Sequence, residues 1–248
     1  MKREQTIDTA MQLLWDQLVD WGWTLEAEQF TLLRQYAELL TNYTEANVIG
    51  TKEVQGVILD HVLDSLSCLA LRDIELHGRL IDVGSGGGMP GIPLAIAQSD
   101  LTVTLLEATE KKIKFLRCAR ESLQLTNVST LNQRAEEVGR HTGVRESYDI
   151  AVTRALASLP VVVEYCAPFV KEGGWILAMK GWLEQDELVV GQEAAKKLGA
   201  ELHKVASVRL LPELEQKQRQ IVVLRKMSAT PSGYPRRVGL AKKRPLGS

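Results

Sequence analysis

LIDVGSGGGMPGIPLAI, Leu80–Ile96, is the stretch whose reading decides the fold. An apolar run ends at Gly84, and five of the eight residues Gly84–Gly91 are glycine, before an apolar segment that starts near Pro90. That order reads as strand, glycine loop, helix, and it brings bare backbone close to a ligand at the carboxyl edge of a sheet. A Walker phosphate loop needs a lysine after its glycines, and none follows here. A GxGxxG dinucleotide pattern fits Gly86, Gly88 and Gly91 literally, but counted from the strand end its third glycine falls on Met89. What remains is an acid followed by alternate glycines: Asp82, Gly84, Gly86 and Gly88. This pattern resembles the S-adenosylmethionine (SAM) loop of Rossmann-like methyltransferases.

Working outward, the pattern separates into two regimes. Apolar residues recur at helical spacing up to Ala70 (Met11, Leu14, Trp15, Leu18; Phe30, Leu33, Ala37, Leu40; Val57, Ile58, Val62, Leu66), which predicts three amphipathic helices as an N-terminal extension over 1–77. Trp15, Trp21 and Trp23 belong to its packing. After Gly78, short β-branched runs predict strands at 80–83, 102–106, 128–131, 149–153, 174–179, 203–210 and 220–225, with helices between them. This is an α/β fold: a Rossmann-like seven-stranded sheet over 78–226. The short connection Leu211–Arg219 favours a final hairpin, hence one antiparallel strand in a mostly parallel sheet.

Charge divides the chain differently. Residues 1–77 carry 5 Lys/Arg against 13 Asp/Glu, whereas residues 225–248 carry 7 Lys/Arg and no acid. The tail over 227–248 holds Pro231, Pro235 and Pro245 among Arg236, Arg237, Lys242, Lys243 and Arg244. The prolines argue against helix or central strand, so a flexible or surface-laid basic arm is expected, with these cations and Lys180 as candidate contacts to RNA phosphates. No apolar run reaches the ~20 residues of a spanning helix, and MKREQTIDTAMQ lacks the apolar core of a signal peptide. A cytoplasmic protein without membrane contact is expected. Cys68, Cys118 and Cys166 form no metal-ligand spacing and are expected to be buried thiols, with no metal site.

The chemistry narrows by what stands at the strand ends. Glu107 closes TVTLLE, where a carboxylate that accepts the ribose hydroxyls of the cofactor belongs. The Pro-Pro-aromatic element common to exocyclic-amine methyltransferases is missing, because the fourth strand leads into Thr153-Arg154-Ala155-Leu156. Cys166 lies in an apolar helical stretch with no activating neighbour, which disfavours attack through carbon 5 of a pyrimidine. A ring nitrogen such as guanine N7 has a free lone pair and needs placement rather than a base. His61 and Asp64, three apart on one helix face, pair locally or face the acceptor; Arg154 and Lys180 stand at the ligand edge of the sheet. Those four are the candidate catalytic residues.

Six blocks resemble one family in order and spacing: HVLDSL (His61–Leu66), IDVGSGGGMPGIPLAI (Ile81–Ile96), EKKIKFL (Glu110–Leu116), RAEE (Arg134–Glu137), TRALASL (Thr153–Leu159) and TPSGYPRRVGLAKKRPL (Thr230–Leu246). The chain resembles the RsmG (GidB) methyltransferases, which form 7-methylguanosine in 16S ribosomal RNA of the bacterial small subunit. The resemblance implies that Gly84, Met89, Ala135, Glu136 and Arg154 hold SAM, with Glu107 on the ribose. It also implies 16S rRNA, in the small ribosomal subunit or its assembly intermediate, as partner; a monomer is expected. A methyltransferase acting on another RNA or on a small molecule is the alternative. Asn42 stands where the family often has an aromatic residue, and Asn47-Val48-Ile49 replaces Asn-Leu-Thr ahead of His61.

Overall fold

The computed structural model describes residues 2–51, 53–212 and 219–247. Two helices lead: α1 (Lys2–Asp20) and α2 (Ala27–Asn42). α2 starts with a capping box, in which Glu26 accepts from the first turn and Gln29 Oε1 accepts the Glu26 N–H at 2.7 Å. The third expected helix spans 54–70 but is not regular. Its middle, Ile58–Val62, is a π turn in which the Leu63 N–H reaches the Ile58 carbonyl five residues back, and Ser67–Ala70 tightens to 3₁₀ geometry. Such a widened turn shifts the residues after it around the helix axis; His61 lies within the turn and Asp64 just after it.

Seven strands follow: β1 (Gly78–Val83), β2 (Leu101–Leu106), β3 (Val128–Leu131), β4 (Tyr148–Arg154), β5 (Val170–Lys180), β6 (Ala200–Ser207) and β7 (Gln220–Lys226). They form one sheet in the order β3-β2-β1-β4-β5-β7-β6, in which β7 runs antiparallel to both neighbours and the other adjacent pairs are parallel. The expected α/β layout is therefore the observed one. β6 begins three residues earlier than 203 because Gly199, at φ +76°, ends the preceding helix and Ala200 already pairs with Lys226. The residues 213–218 of the expected hairpin lie outside the described residues.

The sequence order of strands reverses between β1 and β4, and an open parallel sheet has its ligand crevice at that switch point. Both faces are covered. The N-terminal helices share one continuous core with one face, where Leu14, Leu33, Leu40 and Leu66 join Leu80, Val103 and Leu177; the other face packs Val161, Phe169 and Leu198. Of the tryptophans, Trp21 is buried with its indole N–H on the Arg209 carbonyl, Trp23 donates to the Leu69 carbonyl, and Trp15 packs beside Phe30 while remaining partly exposed. Cys68 and Cys166 are buried, but Cys118 is exposed, which corrects the expectation for that thiol; it lies on the outer side of helix Glu110–Ser122.

The tail departs most from its expected form. It is surface-laid, yet it carries a short helix, Leu240–Lys243, because the stretch between Pro235 and Pro245 is free of proline. Ala241 and Leu246 are buried in the second core. Two arginines pin the segment by its carbonyls: Arg140 to Gly233 and Pro235, and Arg145 to Thr230, Pro231 and Tyr234.

Candidate active site

The glycine loop leaves β1 as a set of backbone turns. Gly84, Gly86 and Gly88 have φ of +76°, +58° and +92°, values that side chains with a Cβ rarely adopt. A Cβ on Gly84 would also lie 2.6 Å from Leu156, so the loop is packed to the limit against the segment after β4. Two acids hold its shape. Asp82 is fully buried and accepts the Gly91 N–H at 2.9 Å; Glu107, at the end of β2, accepts the N–H groups of Gly86 (3.1 Å) and Thr109 (2.8 Å). From the N-terminal extension, the Tyr36 hydroxyl donates to the Gly87 carbonyl at 2.6 Å.

Burial pushes the Asp82 carboxyl up to about 7 from an ordinary 3.8, against the lowering effect of the Gly91 N–H and of Arg154. The folded protein thus keeps a proton that the unfolded chain loses near pH 4. The Asp82 contribution to stability falls as pH rises from about 4 to about 7, and the penalty is complete above that window. Asp82→Asn removes this titration and retains an acceptor for Gly91. The unfolding free energy of wild type relative to Asp82→Asn is expected to drop on the order of 1 kcal/mol per pH unit across the window. Parallel pH profiles for the two proteins in urea titrations would refute it.

Two cavities open at the carboxyl edge. The first, of about 480 Å³, is lined by Gly84, Glu107, Ala135, Glu136, Arg154 and Leu156, among others. The second, of about 400 Å³, is lined by His61, Asp64, Ser67, Lys180, Trp182 and Arg219, among others. Arg154 and Ala155 border both. Arg154 ends β4, and its guanidinium donates to Asp64 Oδ2 at 2.9 Å and to the His61 carbonyl at 3.3 Å, and lies 3.3 Å from both His61 Nδ1 and Met89 Sδ. Arg219 Nε meets the other Asp64 oxygen at 2.5 Å. His61 and Asp64 therefore converge on one arginine 90 residues away rather than forming only a local pair.

The sequence candidates are distributed unevenly around these cavities. Gly84, Glu107, Ala135, Glu136 and Arg154 line the first. Asp82, Gly86, Gly88 and Met89 are not on its wall: Asp82 is 0% exposed, Gly88 lies over Ile92, Gly86 binds Glu107, and Met89 faces Arg154. Their contacts shape the loop. Lys180 borders the second cavity, where its ammonium meets Glu187 at 2.8 Å and donates to the Ala157 carbonyl at 2.9 Å, bracing the loop after β4. Arg236 is likewise committed: its guanidinium grips the buried Glu164 through both oxygens, at 2.6–3.1 Å. Arg237, Lys242, Lys243 and Arg244 are exposed, and Lys242 also lines the first cavity.

Sequence reading missed Arg219, Ser67, Trp182 and Val238. Arg219 precedes an antiparallel strand, whose beginning lies at the same edge as the ends of the parallel strands; Lys180 pairs in register with Gln220. The expected final hairpin contained that signal. Cys166, in contrast, is fully buried with its thiol pushed up by burial, and it reaches neither cavity.

The cavity residues fit SAM: a carboxylate at the end of β2, a second one beyond β3, and the bare backbone of Gly84 on the wall between them and Arg154. The GidB family model, described as rRNA small subunit methyltransferase G, matches residues 29–222. The chain is 50% identical over 231 residues to the ribosomal RNA small subunit methyltransferase G of Rubrobacter xylanophilus, covering 93% of this chain and 88% of that one. It is 39% identical over 228 residues to that of Moorella thermoacetica, covering 92% and 94%. Among solved structures, TrmN from Thermus thermophilus shares the fold with a TM-score of 0.51 at 16% identity, over 67% of this chain and 49% of that one. The chain belongs to the GidB family, the small-subunit rRNA methyltransferases G, and is a SAM-dependent methyltransferase.

Proposed function

We propose that this methyltransferase transfers the methyl group of SAM to N7 of a guanine in 16S rRNA, with the cofactor in the first cavity and the acceptor base in the second. The observation that carries the reading is that the two cavities meet at Arg154 and Ala155, so donor and acceptor sites share one wall. Bound SAM supplies an electrophilic methyl on a sulfonium. Guanine N7 carries a free lone pair and no proton, so accepting that methyl would require no proton to be removed. A base is therefore unnecessary, and the protein acts by placement and exclusion of water.

In this reading Glu107 and Glu136 hold the nucleoside part of the cofactor and Gly84 admits it against bare backbone. Asp64, fixed between Arg154 and Arg219, is the rigid acceptor on the base side. Trp182 is 61% exposed on the rim of the second cavity and offers an aromatic face for stacking. The Ser67 hydroxyl, buried beside the same cavity, has no hydrogen-bond partner among the described residues. The exposed cations Arg237, Lys243 and Arg244 suit RNA phosphates. No helix among the described residues is long and apolar enough to cross a membrane, and we place the activity in the cytoplasm, where the small subunit or its assembly intermediate is the substrate of a monomer.

The deciding experiment incubates the protein with labelled SAM and unmethylated 16S rRNA, naked and as small subunits, and maps label by cleavage at 7-methylguanosine. Label at one guanine N7 is expected. Label on another base or position, or none in either substrate, overturns the assignment.

A further inference from the structure

The first cavity has a wall that the glycine loop and the strand ends do not supply. Val238, Gly239 and Lys242, all from the C-terminal tail, line it together with Glu136. The tail is seated there by specific contacts. The Gly239 N–H donates to Glu136 Oε1 at 2.9 Å; Gly239 has φ +77°, which turns the chain so that this N–H can face inward. Three residues earlier, Arg236 is clamped on Glu164, whose side chain is wholly buried, through its Nε, one terminal guanidinium nitrogen and the Arg236 backbone N–H. Arg140 and Arg145 hold the preceding carbonyls. A segment with this many inward bonds is a built wall.

Val238 is the residue left over by that anchoring. It is an aliphatic side chain held 48% exposed at the cavity, between a clamped arginine and a bonded glycine. An exposed valine alone is ordinary, but one fixed at the mouth of a ligand cavity presents an apolar surface that a flat ring can cover. Glu107 and Glu136 mark that end of the cavity as the nucleoside end.

We infer that the C-terminal tail is part of the cofactor site, with Val238 as the apolar cover over the purine ring of SAM and the Gly239–Glu136 hydrogen bond setting its position. This rests on the reading of the first cavity as the cofactor site. It assigns the tail two faces: Val238, Gly239 and Lys242 toward the cofactor, and Arg237, Lys243 and Arg244 outward.

The test is calorimetric binding of S-adenosylhomocysteine and of 5′-methylthioadenosine, which lacks the amino-acid part, to the full-length protein without RNA. Val238→Ala is expected to raise the Kd for both ligands about threefold to tenfold, the effect of losing two partly buried methyl groups. Val238→Asp, which adds a charge against the ring, is expected to raise both Kd values further. Val189→Ala, at an equally exposed valine on helix Gln185–Lys197, serves as control and should stay within about twofold, the scale of a surface substitution. Equal melting temperatures establish that folding is unchanged. Wild-type affinity in both Val238 variants overturns the inference, as does a loss for S-adenosylhomocysteine without one for 5′-methylthioadenosine, which would put the wall at the other end. If wild type binds neither ligand, the cofactor reading of the cavity fails instead, a result distinct from the first two.

Discussion

Arg154→Ala is expected to lower kcat/KM for methylation of 16S rRNA by about a thousandfold, the scale for losing precise placement at a reacting centre. The guanidinium is the shared wall of the two cavities and bridges Asp64, the His61 carbonyl and ring, and Met89 from the glycine loop. Its removal frees the helix that carries His61 and Asp64 from the end of β4, so donor and acceptor sites lose their common reference. Arg154→Lys is expected to recover little, because one ammonium on a flexible stem cannot span a carboxylate, a carbonyl and an imidazole in the fork geometry. Stability should fall by only about 2 kcal/mol, the scale of a charge-assisted hydrogen bond, since Asp64 keeps Arg219. Single-turnover rates at saturating RNA, taken with a melting curve, separate the two effects. A rate within tenfold of wild type would remove Arg154 from the centre of the site.

The largest effect on stability is expected from Arg236→Ala. Glu164 sits at 0% exposure inside helix Leu159–Cys166, and Arg236 satisfies both of its oxygens. Glu164 also holds the bridge in the charged form, raising the Arg236 pKa above its ordinary value. Removing the guanidinium leaves a carboxylate in apolar surroundings with one backbone N–H, which costs about 3–5 kcal/mol. For a chain of this size that lowers the melting temperature by roughly 10 °C. The double variant Arg236→Ala/Glu164→Leu should recover most of the loss, because an apolar side chain of similar size suits the position once the cation is gone. Equal melting temperatures for Arg236→Ala and wild type would show that the pair contributes nothing.

These two arginines show where sequence reading succeeds and where it stops. The position of Arg154 was legible because strand order placed it at the carboxyl edge beside the switch point. Its partners were partly legible: His61 and Asp64 stood out as a pair, but the pairing of Asp64 with Arg154 and Arg219 spans 90 and 155 positions and no local spacing encodes it. Arg236 read as an RNA contact because it lies in a run of cations without acids. Its acid, Glu164, is 72 residues upstream, the single charge in an otherwise apolar helix. Lys180 stands at the second cavity, as its place at the strand end predicts, and pairs there with Glu187, seven residues on.

By itself, the sequence determined the seven strands and their class, the SAM loop and the family, since these depend on periodicities, glycine positions and motif blocks contained within short windows. Only the tertiary structure decided which charges are exposed and which are committed, and that the tail lines part of the first cavity. Commitment of a charge depends on which groups the folded chain brings within about 3 Å, the reach of a hydrogen bond, and such contacts are made between strand ends and helices distant in sequence.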